Sequence, residues 1–347
     1  MYVTSAENGS SSMTTYNASD GARLWTASYD GRFSTDSPPV GLKVSPDGTK
    51  VYATGGGYGT SSDWGTVAYR ASDGTQLWVA RYSPVSISGG PSGFAMSADG
   101  TRLYVTGNVR DNSDVRYTTV AYDTSDGAQL WVALYNYDNF NSSVDEASTI
   151  GVSLDGTKVF VTGPSFNATG STDYATVAYD ASDGTQLWVM RYNTGLPGAL
   201  SDIPRSLGVS PDGTKVYVTG TAETRLGEYA TVAYDAVNGT QLWVALYGED
   251  DTYASASSLA VSPDGLKVYV TGWSAPPSSA QRVFTTVAYD TSAGSQLWVA
   301  MSKVGAQPFG IVVSPNGRYV YVTGYGLKSG SAAASDAYGT SDGSWQG

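Results

Sequence analysis

Residues Tyr174 to Met190 read YATVAYDASDGTQLWVM, and the meaning of this stretch decides the fold. Close copies stand at Trp64 to Ala80, Tyr117 to Ala133, Tyr229 to Ala245 and Phe284 to Ala300, and eroded copies lie around Thr14 to Trp25 and Asp336 to Trp345. In each, two alternating or apolar runs flank a turn rich in Asp, Asn, Ser and Gly. Those residues tolerate the backbone angles of tight turns, so each copy predicts an antiparallel hairpin. Seven versions of one supersecondary unit fill the chain.

Working outward, the full unit has four strands. From Ser206 they are SLGVS (206–210), KVYVTG (215–220), YATVAYD (229–235) and QLWVALY (241–247), joined by the turn PDG, a variable loop and the turn AVNG. The second strand recurs at Tyr2, Tyr52, Tyr104, Phe160, Tyr217, Tyr269 and Tyr321, spaced 50 to 57 residues apart. Tryptophan opens the fourth strand at Trp25, Trp78, Trp131, Trp188, Trp243, Trp298 and Trp345, whereas the first strand with its Ser-x-Asp/Asn-Gly turn occurs six times, at Ser45, Ser97, Ser153, Ser210, Ser262 and Ser314.

A four-stranded unit of this period predicts an all-β chain, a seven-bladed β-propeller of four-stranded antiparallel blades. Six blades plus an N-terminal extra segment is the alternative. The reading is one domain, 1–347, with full blades at 40–83, 92–135, 148–192, 206–247, 257–301 and 309–345 and a partial blade at 1–29 that lacks its inner strand. The opening Met1-Tyr2-Val3-Thr4 matches the middle of a repeat, so the expectation is an N-terminus that was processed or cut, with truncation accounting for the missing strand. An unpaired edge also invites pairing between chains, which makes self-association through the incomplete blade an expectation. The middle of the first strand is small at Ala95, Gly151, Gly208 and Ala260, as inner strands crowding together require. Val312 and Lys43 depart from this, and for Lys43 the stem is expected to pack while the ammonium reaches water.

Composition narrows the chemistry. The 42 glycines, 26 tyrosines, 9 tryptophans and only 14% charged residues suit strands and turns, and no apolar run is long enough to span a bilayer. The net charge of -12, from 31 acidic against 19 basic residues dispersed through turns, argues against a phosphate-binding groove. Histidine and cysteine are both absent, which excludes thiol nucleophiles, histidine bases, histidine triads and Cys/His zinc sites.

The run Ala178-Tyr179-Asp180-Ala181-Ser182-Asp183-Gly184-Thr185-Gln186-Leu187-Trp188 resembles the tryptophan-docking motif of quinoprotein-type propellers. Joined to SPDGTKVYVTG, the unit resembles the bacterial seven-bladed β-propeller repeat family of surface and secreted proteins. The resemblance implies that the fourth-strand tryptophans dock between blades. It does not imply a quinone, because the motif is structural. Asn17, Arg70 and Gly339 replace its first aspartate, Ala293 replaces the turn acid, and Gly343 and Trp345 stand too close together, which puts docking by Trp345 in question.

Function is expected at the variable connections, between second and third strands and between one blade and the next, because the other two turns are short and nearly constant. The ligand candidates there are Tyr58, Trp64, Tyr137, Asp250, Asp251, Tyr253 and Trp273, aromatic platforms for sugar rings beside carboxylates. For Trp64 the competing reading is packing, since it aligns with Tyr117, Tyr174, Tyr229 and Phe284. Glu249-Asp250-Asp251 and Asp111-Asn112-Ser113-Asp114 offer oxygen ligands to calcium, but neither has EF-hand spacing, and solvated acidic loops are the better reading of both. No catalytic or metal-binding set is marked. The expectation is a secreted or surface-exposed, non-catalytic binding or scaffolding propeller with a protein or glycan partner, no nucleic acid and no membrane insertion. Its rivals are a carboxylate-based carbohydrate-active hydrolase or lyase and a structural subunit of a larger extracellular assembly.

Overall fold

The computed structural model describes residues 1–7, 10–28, 39–56, 63–83, 88–111, 114–137, 145–167, 170–194, 201–222, 227–248, 252–275, 282–302, 305–326 and 332–346. Among them there are strands, turns and bends and no helix. They form seven antiparallel sheets, five of four strands and two of three, each running in chain order from first strand to last. This is the all-β architecture of a seven-bladed propeller. Blade 5 is representative, with strands Ile203–Val209, Lys215–Ala222, Glu228–Asp235 and Gln241–Tyr247. Blade 1 has three strands, Tyr2–Glu7, Ser10–Tyr16 and Arg23–Ser28, and blade 7 has three, Gly305–Val313, Tyr319–Gly326 and Ala332–Gly339. In blades 3, 5, 6 and 7 the first strand begins earlier than the repeat suggests because it continues across a bulge, as between Pro204 and Ser206 in blade 5.

The chain divides into two compact units, Met1–Val159 with Tyr179–Gln186, and Phe160–Ala178 with Leu187–Gly347. In the first unit the core lies between successive sheets: Met13 packs with Val51, Val67 and Tyr69, and Tyr52, Trp64 and Trp78 pack with Phe94, Leu103 and Tyr122. In the second, Trp188 and Tyr192 meet Val216, Val218 and Tyr234, and Trp243 meets Leu259, Val268 and Tyr289. Second strands of blades 2 to 6 are therefore buried on both faces, which is why KVYVTG carries no polar alternation apart from threonine. The threonines pair across the sheet: Thr219 Oγ1 lies 2.9 Å from Thr231 Oγ1 and donates to the Ala230 carbonyl at 3.1 Å, so a buried hydroxyl is satisfied inside one blade. The small position of the first strand is set by the facing blade, since a Cβ at Gly208 would come within 2.6 Å of Leu259 Cδ1. Lys43 occupies that position in blade 2, and burial lowers its pKa.

Each of the first six blades grips the turn of the next. The indole N–H of Trp25 donates to the Ala71 carbonyl at 2.9 Å, Trp78 to Thr124 at 3.1 Å, Trp131 to Ala181 at 3.0 Å, Trp188 to Ala236 at 3.3 Å, Trp243 to Thr291 at 3.1 Å and Trp298 to Thr340 at 3.3 Å. Three of these carbonyls accept a second donor from the same gripping blade: Lys50 Nζ at 3.2 Å on Thr124, Lys267 Nζ at 2.8 Å on Thr340, and Arg102 on Ala181. The ring also lies flat on the turn glycine. Gly184, at φ +79°, would place a Cβ 2.7 Å from Trp131 Cε3. Glycine is needed there twice over, for the left-handed backbone and for the close approach of the ring.

Trp345 corrects the sequence expectation. Trp298 pairs with Ala288 and Gln296 with Tyr289, but Trp345 bridges Tyr338, the residue equivalent to Tyr289. The shortened spacing after Gly343 puts Trp345 in the glutamine register, where its indole is 66% exposed and donates to Asp336 Oδ1 of its own blade at 3.2 Å. Among the described residues this bridge, with the Gln346 amide donating to the Ala337 carbonyl at 2.8 Å, stands where a fourth strand of blade 7 would run.

Candidate functional site at the variable ends of the blades

The two ends of each sheet differ. At the constant end, the Ser-x-Asp-Gly turn closes on itself: Ser210 Oγ donates to Asp212 Oδ1 at 2.6 Å, the Thr214 amide donates to the same oxygen at 3.0 Å, and the Lys215 amide donates back to Ser210 Oγ at 2.9 Å. The serine hydroxyl and the threonine donors hold the Asp212 pKa down to about 2, and the equivalent set does the same for Asp47. A cavity of about 450 Å³ at this end is lined by Ser97, Asp99, Arg102, Asp155 and Asp180. Its carboxylates already serve their own turns, as Asp99 accepts from Ser97 at 2.5 Å, Asp155 from Ser153 at 2.6 Å and Asp180 from Ser182 at 2.5 Å.

At the variable end, blade 4 carries a polar cluster built on an Asp–Arg pair whose positions recur in the sequence of blade 2 as Asp63 and Arg81. Its strands Lys158–Phe166, Thr172–Asp180 and Gln186–Tyr192 bring Ser165, Asp173 and Arg191 together. Arg191 donates from Nε and Nη2 to Asp173 Oδ2 at 3.2 and 2.9 Å, from Nη2 to the Ser165 and Phe166 carbonyls at 2.8 and 3.1 Å, and from Nη1 to Ser165 Oγ at 2.5 Å. The other carboxylate oxygen accepts from the Asn193 amide at 2.6 Å and the Asn167 amide at 2.7 Å. Asp173 thus receives four N–H donors, which pair its charge and fix the direction of both amides and the guanidinium.

Next to this cluster, Asp202 leads into blade 5. It is 1% exposed, its Oδ2 accepts the Thr194 amide at 2.9 Å, and its own N–H donates to the Thr172 carbonyl at 2.7 Å. Asp145 repeats this ahead of blade 4, with Oδ2 accepting the Tyr137 amide at 3.1 Å and its N–H donating to the Val115 carbonyl at 3.1 Å. These two aspartates fasten the blade-to-blade connections. Tyr192 has its phenol pushed up to about 12, mainly by burial and then by the charges of Asp202 and Glu228. Glu228, half-buried, stands one residue before Tyr229, the same repeat position that Asp173 holds before Tyr174.

The ligand candidates read from sequence are dispersed. Trp64 is 0% exposed and packs edge-on to Tyr82 with centroids 5.4 Å apart, so it is a packing residue and offers no platform to a sugar. Tyr137 and Tyr253 are exposed. Tyr253 pairs with Ala275 and Ser255 with Trp273, which sets Tyr253 and Trp273 diagonally on one face of blade 6, and the Arg282 guanidinium lies 3.8 Å over the Trp273 ring. Tyr58, Asp250 and Asp251 lie outside the described residues. Asp111 and Asp114 pair across a hairpin, with Asp114 3.5 Å from Arg116, and no group of three or more metal-ligating side chains occurs among the described residues. Asp173, Arg191 and Asp202 were not among the candidates. The first pair has two signals in the sequence, an acid just before the third-strand aromatic and an arginine three residues after the docking tryptophan, and blade 2 repeats both at Asp63 and Arg81.

Comparison with known proteins places the fold. A periplasmic gluconolactonase of Pseudomonas aeruginosa superposes with a TM-score of 0.60 at 18% identity, covering 97% of this chain and 90% of its own. A 6-phosphogluconolactonase candidate from Bacteroides uniformis gives 0.57 at 14% identity, covering 98% and 91%. Sqt1 of Chaetomium thermophilum gives 0.58 at 13% identity, covering 92% and 76%. A search of the curated proteins by sequence found no match. The expectation of a non-catalytic binding or scaffolding module is overturned here, because the structures that match this chain almost end to end include proteins named as lactonases. The model of one family matches residues 1–133, 63–226 and 115–300, which together cover well over half of the sequence. The chain belongs to that family, the propeller repeats described as outer membrane protein assembly factor BamB.

Proposed function

We propose that this protein is an extracytoplasmic propeller enzyme that hydrolyses a sugar-derived lactone, with its chemistry at the variable ends of blades 4 and 5. The observation that carries the reading is the likeness to the periplasmic gluconolactonase over 97% of this chain and 90% of that one. A fold hosts many activities, so the residues of this chain have to supply the chemistry. Opening a lactone requires donors for the carbonyl oxygen as it gains charge and a base for the attacking water. The water oxygen bonds to the carbonyl carbon, the ring C–O bond breaks, the departing ring oxygen takes up a proton, and a hydroxy acid results. Without histidine or cysteine, a carboxylate is the base.

In this reading the base is Glu228, whose charge acts with that of Asp202 on the Tyr192 phenol. Arg191, Asn193 and Asn167, held by Asp173, supply the donors. The family and the periplasmic lactonase both support an extracytoplasmic location, and loops rich in Ser, Thr, Gly and Asn extend this to secretion or the cell surface. The family also supports a protein partner in addition to a small substrate.

The test is acid release from gluconolactone and its 6-phosphate in a pH-stat, with calcium and with chelator. The purified protein is expected to exceed spontaneous hydrolysis on at least one of them, and Glu228→Gln to remove the excess with thermal unfolding unchanged. A rate equal to the spontaneous one on both lactones overturns the reading.

A further inference from the structure

Four first strands carry an extra residue at the same bulge: Ser92 in blade 3, Arg205 in blade 5, Ser257 in blade 6 and Phe309 in blade 7. Such a residue is left out of the ladder, and its side chain is released from the alternation of the strand. Two of the four are engaged within the protein. Ser92 donates to the Ala147 carbonyl, and Phe309 lies edge-on to Tyr325 at 4.6 Å. Arg205 is exposed and Ser257 half-buried, and among the described residues neither side chain has a hydrogen-bond or ion-pair partner.

These two residues are neighbours across the seam between blades 5 and 6. The Thr221 and Ser255 hydroxyls lie 2.6 Å apart on one side of them, and the Leu259 amide donates to Ser206 Oγ at 3.1 Å on the other. Thr221 pairs with Ile203, two residues before Arg205, and Ser255 stands two before Ser257, so the two bonds bracket the two bulges. Arg205 is also the one charged residue on the first strands Ile203–Val209, Tyr253–Val261 and Gly305–Val313. The polar cluster of blade 4 adjoins it. Tyr174 follows Asp173, and its hydroxyl reaches Gly220, where a Cβ would come within 2.7 Å of it; Gly220 pairs with Pro204, the residue before Arg205.

We propose that Arg205 and Ser257 form a subsite for an oxyanion, the phosphate or carboxylate carried by a sugar-acid ligand. The guanidinium offers paired donors that match either group, and the serine hydroxyl adds another. For the rest of the molecule the subsite rests on the lactone reading, and the substrate is then an anionic lactone rather than a neutral one.

Titration calorimetry on the intact chain tests this with gluconate, 6-phosphogluconate and glucarate, in which the added group is absent, a phosphate or a second carboxylate. Wild type is expected to bind 6-phosphogluconate or glucarate about tenfold tighter than gluconate, and the ligand that gains identifies the group. Arg205→Gln is expected to bring that ligand to the affinity of gluconate, and Ser257→Ala to weaken it about threefold, both with the melting temperature of wild type. Equal binding of all three by wild type, no binding of any, or a preference that survives Arg205→Gln overturns the proposal. The preference is read without turnover. Its presence beside absent lactone hydrolysis therefore removes the lactone reading alone, and its absence beside hydrolysis removes the subsite alone.

Discussion

The constant and variable ends of the blades solve the same problem in opposite ways. At the constant end the turn carboxylates find their partners two residues away, and the solution is copied: Ser45 to Asp47, Ser97 to Asp99, Ser153 to Asp155, Ser210 to Asp212 and Ser262 to Asp264 are one device. At the variable end the partners come from separate strands and connections, and among the described residues the amides of Asn167 and Asn193 join an Asp–Arg pair only at Asp173 and Arg191. Regularity marks what the fold needs. A polar arrangement that the fold does not need to repeat is the place to look for chemistry.

Four measurements would break or sharpen that contrast. The largest effect is expected from Trp188→Ala, which empties a buried docking site and should cost about 3 to 5 kcal/mol in thermal or denaturant unfolding. Trp345→Ala, at an exposed residue outside the docking register, should stay within about 0.5 kcal/mol. Equal losses from the two would erase the distinction between them. Next is Arg191→Ala, which leaves a carboxylate only 9% exposed without its cation. Breaking a buried pair in this way should cost about 3 kcal/mol, read as a lower denaturant midpoint. A midpoint equal to wild type would show that the cluster is not held together by this pair.

Gly184→Ala should cost about 2 kcal/mol, from left-handed strain plus displacement of the Trp131 ring. Gly21→Ala has the same strain and open space around it, so it should cost about 1 kcal/mol. The difference between the two, measured by unfolding, isolates the contribution of ring contact.

The last measurement is of pH. Asp47 and Asp212 have folded pKa values lowered to about 2, first by their serine hydroxyls. A depressed carboxylate contributes stability that is fully present above its unfolded value, about 4, and that is lost as pH falls through the folded value. The melting temperature should therefore hold steady down to about pH 5 and fall between about pH 4 and 2, with Ser210→Ala making the fall shallower. At the alkaline end Tyr192, Tyr217 and Tyr269 are raised to about 12 by burial, so their contribution is full below about pH 10 and is lost as pH climbs towards 12. Tyrosine ionisation followed by absorbance should accompany unfolding; ionisation complete before unfolding begins would contradict the burial.

The blades were legible in the sequence because their determinants are local and repeated. A turn glycine, a tryptophan four residues later and a threonine on each central strand are enough to place a sheet and its docking contact. Trp345 failed for a local reason too, since two missing residues after Gly343 shift its register. The variable end resisted because its contacts join residues far apart in sequence. Asp173 meets Arg191 only when two strands pair, and Asp202 looks like an ordinary loop acid until Thr194 and Thr172 are seen on either side. Trp64 was legible only through its alignment with Tyr117 and Tyr174, and that alignment pointed to packing.

The grip of an indole on the carbonyl and glycine of the following turn has a consequence for how such a chain can lengthen. One repeat carries both the hand and the handle, the tryptophan that reaches forward and the Ala/Thr-x-x-Gly turn that is held from behind. Copying a single stretch of gene therefore inserts a tile that already fits the tiles on both sides, with no matching change elsewhere.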